Sequence, residues 1–136
     1  MTKRRVDDQI YSRITMDADD KDKEFSTKAV HSGMVEVEGS ATTPIFLTST
    51  YRLTDEKYKG WADGLHHTGP VYSRISSVNS EVVSAKLASL ECAEDAEVFA
   101  SGMAAISTTL MTLLSTGDHI VATPACYGGT SALLTE

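Results

Sequence analysis

The chain has 136 residues, 12 Lys and Arg against 19 Asp and Glu, and a formal net charge of −7, with 41% hydrophobic and 23% charged residues. That is the balance of one soluble globular domain, not of a disordered acidic tail. No run approaches the about 18–20 apolar residues of a membrane helix. The opening Met1-Thr-Lys-Arg-Arg-Val-Asp-Asp8 leads into acids, not an apolar stretch, so no secretory signal is expected. Cys92 and Cys126 form no disulfide framework, which points to a reducing cytoplasm. Net negative charge disfavours nucleic acid, whose phosphates need clustered Lys and Arg.

The charge is spread unevenly. Residues 1–24 alternate charges of both signs without an apolar period and read as a solvated, partly disordered arm, with an arm that wraps a partner subunit as the alternative. From Leu87 to Glu136 there is no Lys and no Arg, while Glu91, Glu94, Asp95, Glu97, Asp118 and Glu136 are all acidic. Nearly all of the net charge therefore comes from this last stretch.

In chain order, Ser26–His31 reads as a short helix, capped by Ser26 and stopped by Gly33. Thr42–Tyr51 is rich in β-branched and aromatic residues, and its Pro44 suits an edge or irregular extended segment. Residues 54–70, with Gly60, Gly64, Gly69 and Pro70, read as loop. From Ser80 to Glu91 the apolar residues recur at helical spacing, with Asn79 or Ser80 available as the cap. Ala96–Ala100 reads as a strand, Met103–Ser115 as a helix ended by Gly117, and His119–Thr123 as a second strand. Pro124–Gly129 follows as a loop, and Thr130 caps a last helix. Strand, helix, strand, helix with apolar strands predicts an α/β fold with a parallel sheet. Two strands cannot bury both faces of such a sheet, so it is incomplete.

Three motifs could carry chemistry. At Phe99-Ala-Ser-Gly-Met-Ala104 a strand runs through Ser101 and Gly102 directly into a helix. Free amides and the positive end of the helix dipole converge there, as a phosphate requires; an ordinary βα turn is the alternative. The junction is neither a Walker A loop nor a GxGxxG fingerprint. Tyr72 and Arg74, two apart in an extended segment, share a side. They could clamp a phosphate through the guanidinium, or be no more than an arginine packed on a tyrosine. In Ala125-Cys-Tyr-Gly-Gly-Thr130 the glycines leave Tyr127 free at the C-terminal end of a strand, where α/β sheets bind ligands. The ring could stack on a flat cofactor or pack in a glycine turn. His66-His67 reads as a loop pair without a role, since adjacent histidines rarely ligate one metal and no Cys or carboxylate cluster accompanies them. Cys126 reads as a small buried hydrophobe. No metal site is expected.

Taken together, these motifs resemble one family. Tyr72-Ser-Arg74, the Ser101-Gly-Met-Ala-Ala105 junction, Gly117-Asp-His119 and Tyr127-Gly-Gly-Thr130, with Ala29-Val-His-Ser-Gly33, Thr43-Pro-Ile45 and Thr48-Ser-Thr-Tyr51, are similar to the N-terminal part of the Cys/Met-metabolism enzymes dependent on pyridoxal 5′-phosphate (PLP). Cystathionine γ-synthase, cystathionine γ-lyase and O-acetylhomoserine sulfhydrylase are of this type. The resemblance implies the aminotransferase-like large domain of fold type I, cut early. Residues 1–24 would be an arm, 25–79 a segment wrapping a dimer partner, and 80–136 the start of the PLP-binding domain.

Cofactor-binding residues implied are Tyr72, Arg74, Ser101, Gly102, Met103 and Tyr127. Gly102 and Met103 would hold the phosphate with their amides. Tyr72 and Arg74 would reach it from the neighbouring subunit. Tyr127 would stack on the pyridine ring and act in catalysis by shuttling protons. The implied substrates are sulfur-containing or O-acyl amino acids, and the implied assembly is a cytoplasmic dimer of dimers (a homotetramer), with no nucleic acid or membrane partner.

There are departures. After the Tyr-Ser-Arg motif the family commonly has Tyr-Gly-Asn-Pro-Thr, whereas this chain has Ile75-Ser-Ser-Val-Asn79. Methionine γ-lyases of the best-known kind carry a Cys where this chain has Gly129, which disfavours that activity. The family's Schiff-base lysine, and the Asp that pairs the pyridine nitrogen, lie beyond the matching motifs; no Lys follows Lys86 here. The resemblance thus implies an N-terminal fragment, inactive alone. A second reading is a truncated, non-catalytic paralogue serving as an interaction subunit of a full-length homologue.

Overall fold

The computed structural model describes residues 22–63 and 69–135. The arm expected over 1–24 lies almost wholly outside them, as does the His66-His67 pair. The chain divides into two compact units, Met1–Glu97 and Val98–Glu136. Five helices form among the described residues: α1 (Phe25–His31), α2 (Asp55–Ala62), α3 (Val78–Glu91), α4 (Gly102–Leu113) and α5 (Gly128–Thr135).

In the first unit, α1 starts one residue before the expected Ser26, with Glu24 at the cap position and no side-chain cap bond. It ends where expected, because Gly33 turns the chain at φ +68°. Helix α2 replaces part of the loop expected over 54–70. The Thr54 side chain accepts from the Lys57 amide and starts the helix, and Gly60 sits inside it despite its helix penalty. Helix α3 begins earlier than the apolar period alone suggests. Ser77 is its cap, and Ser77 and Ser80 exchange side-chain-to-backbone bonds in a capping box. Asn79, a candidate cap, instead accepts from the Phe46 amide at 3.0 Å and donates to the Pro44 carbonyl at 3.5 Å. It pins the extended 44–46 segment to the start of α3.

Helices α1 and α3 pack on each other. Lys86 Nζ donates to the carbonyls of Ala29 and Val30 at 2.9 and 3.2 Å, placing a cation among the C-terminal carbonyls of α1, where the dipole favours it. The buried Ser89 hydroxyl donates to Ser32 at 3.0 Å. The core is small: Val35 is fully buried and Val78 nearly so, with Val37, Phe46, Tyr51, Val82 and Ala85 against them. The Tyr51 hydroxyl is buried with no hydrogen-bond partner among the described residues. Since an unsatisfied buried hydroxyl is unfavourable, Tyr51→Phe is expected to raise stability by about 1 kcal/mol. Urea unfolding followed by circular dichroism reads this; a loss of stability would show that the hydroxyl is bonded.

In the second unit, α4 follows the sequence expectation within two residues at its C-terminus. Gly117, at φ +99°, turns the chain after it, and the Asp118 carboxylate accepts from the Ser115 amide at 2.8 Å. Helix α5 starts at Gly128, not after Thr130, so Gly128 and Gly129 are helical. Neither α4 nor α5 has a buried residue.

The parallel sheet is where the structure departs most from expectation. Among the described residues, residues 96–100 and 119–123 form no ladder, and the isolated antiparallel bridge between Thr50 and Tyr72 is the strand pairing that appears. β-Propensity sets an extended backbone, but a sheet exists only where neighbouring strands meet. The apolar residues of this unit are correspondingly open: Val121 is 100% exposed and Met111 74%.

Candidate functional site

The site grows from the N-terminus of α4. Ser101 is extended, at φ −158°, and its Oγ accepts from the Ala104 amide at 3.1 Å. Its carbonyl accepts from the Ala105 amide. The cap thus uses the third amide of the helix and leaves those of Gly102 and Met103 without an intrahelical acceptor. The Ser101 hydroxyl proton also remains available to a ligand. Space over Gly102 is open, with no atom within 4 Å of an ideal Cβ.

Ser101, Gly102, Met103, Ile106 and Tyr127 line an open recess of about 540 Å³, within the usual size of small-ligand sites, about 300–1,000 Å³. Tyr127 immediately precedes α5 and is 72% exposed. The Thr130 hydroxyl donates to Met103 Sδ at 3.7 Å, tying the first turn of α5 to that of α4. The arrangement offers two free amides, a hydroxyl and a helix dipole for an anion, with an aromatic face lining the same recess.

Four of the six expected cofactor residues (Ser101, Gly102, Met103 and Tyr127) are therefore brought together. Tyr72 and Arg74 belong to the other unit. They do not lie along an extended strand as expected: the chain turns there, and the amides of Ile75 and Ser76 both bond to the Tyr72 carbonyl. This turn closes without Gly or Pro. The Arg74 guanidinium lies 5.6 Å from the centre of the Tyr72 ring, a cation–π distance, and both residues are exposed. Cys126 is partly exposed, not buried as expected, and both cysteines are free thiols. Ile106 was not singled out by sequence; its place one turn beyond Gly102 on α4 was the available signal. Among the described residues no cluster of three or more His, Cys, Asp or Glu could hold a metal. None of their helices is long and apolar enough to cross a membrane.

A recess with an anion-binding helix end and an aromatic ring suits a phosphorylated, flat ligand. The chain belongs to the Cys/Met metabolism PLP-dependent enzyme family, whose model matches residues 26–136. Members of this family depend on pyridoxal 5′-phosphate. The chain is 37% identical over 111 residues to an L-methionine gamma-lyase of Fusobacterium nucleatum, covering 81% of this chain and 28% of that protein. It is 35% identical to an O-acetyl-L-homoserine sulfhydrylase of Corynebacterium glutamicum, covering 80% of this chain and 25% of that one. Against a probable cystathionine gamma-synthase of Herpetosiphon aurantiacus, identity is 42%, covering 80% of this chain and 32% of that one. The chain thus spans about a quarter to a third of these relatives. Three activities lie at comparable identity, so the similarity does not choose among them.

Proposed function

We propose that this chain is the N-terminal part of a PLP-dependent transsulfuration-type enzyme. The parent carries out β- or γ-elimination, or γ-replacement, on cystathionine, homocysteine or an O-acylhomoserine. The observation that carries this reading is the convergence of Ser101, Gly102, Met103 and Tyr127 on one recess. These residues fit the cofactor: two spare amides and a hydroxyl suit its phosphate, and a phenol ring suits its pyridine. When bound, the cofactor supplies an electron sink for the pair left as a bond to the substrate's α-carbon breaks.

This chain's own residues bind and orient. The Gly102 and Met103 amides hold the phosphate at the positive end of α4, and the Ser101 hydroxyl donates a further bond. Tyr127 stacks on the ring, and its phenol moves a proton at the substrate. The phosphate also gains from a cation, because a helix end supplies only about half an elementary charge. Arg74 supplies it, reaching across with Tyr72 from the neighbouring subunit of a dimer, itself half of a dimer of dimers. Residues 1–24 form the arm, 25–79 wrap the partner, and 80–136 begin the fold type I large domain. The segments 96–100 and 119–123 are its first parallel strands, and further strands cover the apolar residues left open around α4. The exposure of Val121 and Met111 supports this, since soluble proteins rarely leave large apolar patches uncovered. The cytoplasm is the site of action.

These 136 residues alone carry no lysine placed for covalent capture and proton transfer, which the chemistry requires. The purified chain supplied with PLP is expected to release no α-ketoacid from cystathionine or homocysteine above the rate of free PLP. Release matching that of a full-length relative would overturn this.

A further inference from the structure

We infer that Lys28 and Cys92 form an oxidation-sensitive pair, in which hydrogen peroxide drives a covalent bond between Cys92 Sγ and Lys28 Nζ. The two residues are 64 apart in sequence, yet Lys28 Nζ donates to Cys92 Sγ at 3.7 Å. The fold brings them together. Lys28 lies in α1, Cys92 caps the C-terminal end of α3, and the two helices pack on each other.

The partners differ in access. Lys28 is only 6% exposed, so its long side chain is held by packing. Cys92 is an exposed free thiol, open to a small oxidant. Its backbone has φ +54°, a left-handed conformation that glycine fills most easily at a helix end. The turn therefore does not account for a thiol at this position.

The reaction balances in two steps. The thiol and hydrogen peroxide give a sulfenic acid and water; the O–O bond breaks as sulfur is oxidised and peroxide oxygen reduced. The Lys28 nitrogen then bonds to sulfur, and the S–O bond breaks. Of the two protons the ammonium gives up, one leaves with the hydroxyl as water and one goes to solvent. A sulfenamide remains. Backbone nitrogens also capture sulfenic acids, but the adjacent Ala93 amide is bonded to the Ala88 carbonyl at 2.9 Å. The lysine amine is the nitrogen placed at the sulfur. Cys126 supplies a contrast, because its unit, Val98–Glu136, contains no lysine. The new bond ties α1 to the end of α3 and closes a loop that includes Tyr72 and Arg74. A cross-link of this kind restricts the unfolded chain and so resists unfolding.

The test uses the full chain carrying Cys126→Ser, which leaves Cys92 as its thiol. After hydrogen peroxide, digestion and mass spectrometry are expected to find a peptide pair joined through Lys28 and Cys92, lighter by two hydrogens than its unlinked parts. Dithiothreitol should separate the pair. The urea midpoint should rise with peroxide and return with dithiothreitol. Lys28→Arg keeps a cation without the amine; it should lose both the linked peptide and the midpoint shift, leaving a Cys92 sulfenic acid that dimedone labels. Circular dichroism checks that this variant keeps its helices. Dimedone labelling or sulfinic acid at Cys92 without a link, or no oxidation there, overturns the proposal. So does an equal yield of linked peptide in urea-unfolded protein, or a link that carries an extra oxygen.

Discussion

Gly33→Ala is expected to destabilise the first unit by about 3 kcal/mol, because two costs combine. Gly33 holds φ +68°, where a Cβ is disfavoured by about 1–2 kcal/mol. An ideal Cβ there would also lie 2.7 Å from the Val82 carbonyl oxygen, 3.0 Å from the Lys86 amide nitrogen and 3.2 Å from Ala85 Cβ. Two of these are backbone atoms of α3, which cannot swing away as a side-chain end can. The added methyl would force apart the chain after α1 and the middle of α3. It would strain the Ser89–Ser32 and Lys86–Ala29 bonds that join the two helices. Gly39→Ala separates the two costs: it has φ +82° but nothing within 4 Å, so only the conformational penalty applies. Urea unfolding of both variants checks this. Equal losses would show that the close approach of residue 33 to α3 does not hold the unit together.

Arg74→Ala should have the largest effect on cofactor affinity. In the assembled protein PLP binding is expected to weaken by about ten- to a hundredfold. That corresponds to loss of a hydrogen bond to a charged group, about 1.5–3 kcal/mol, at 1.4 kcal/mol per decade. Charge is the reason. The segment beginning at Leu87 has six carboxylates and no Lys or Arg. A helix end supplies only about half an elementary charge, so a dianionic phosphate there needs a guanidinium from elsewhere. Arg74→Lys retains the charge but not the two-pronged donor geometry, so it should fall between. Equilibrium dialysis with PLP and with pyridoxal, which lacks the phosphate, distinguishes the source. The arginine effect should vanish for pyridoxal. A similar loss for both ligands would show that Arg74 acts on something other than the phosphate.

Much of the site was legible from sequence because it rests on local rules. Ser101-Gly102 at a strand-to-helix junction specifies a cap and two free amides whatever surrounds it, and the structure shows that cap. Tyr127 before two glycines marked the aromatic side of the recess. The α3 cap was harder to see, because Ser77, Asn79 and Ser80 are all competent; the long-range bonds of Asn79 to Phe46 and Pro44 assign it elsewhere. Helix α2 was hidden by Gly60 within it, although Thr54 three residues before Lys57 was a usable start signal. The glycines of α5 misled in the same way, since Gly128 and Gly129 lie inside the first turn of a helix and not in a loop. The sheet was expected from apolar segments at 96–100 and 119–123. Strand propensity specifies extension only, and a ladder depends on chain distant in sequence.

Amide resonances of the α4 N-terminus offer the most direct test that this chain supplies the phosphate end of a PLP site. In ¹⁵N-labelled protein, titration with PLP is expected to shift the Gly102 and Met103 amides and to perturb the Tyr127 ring, while pyridoxal leaves the two amides unmoved. If PLP leaves both amides unshifted, or shifts them no more than pyridoxal does, the phosphate is not held at this helix end and the central claim fails.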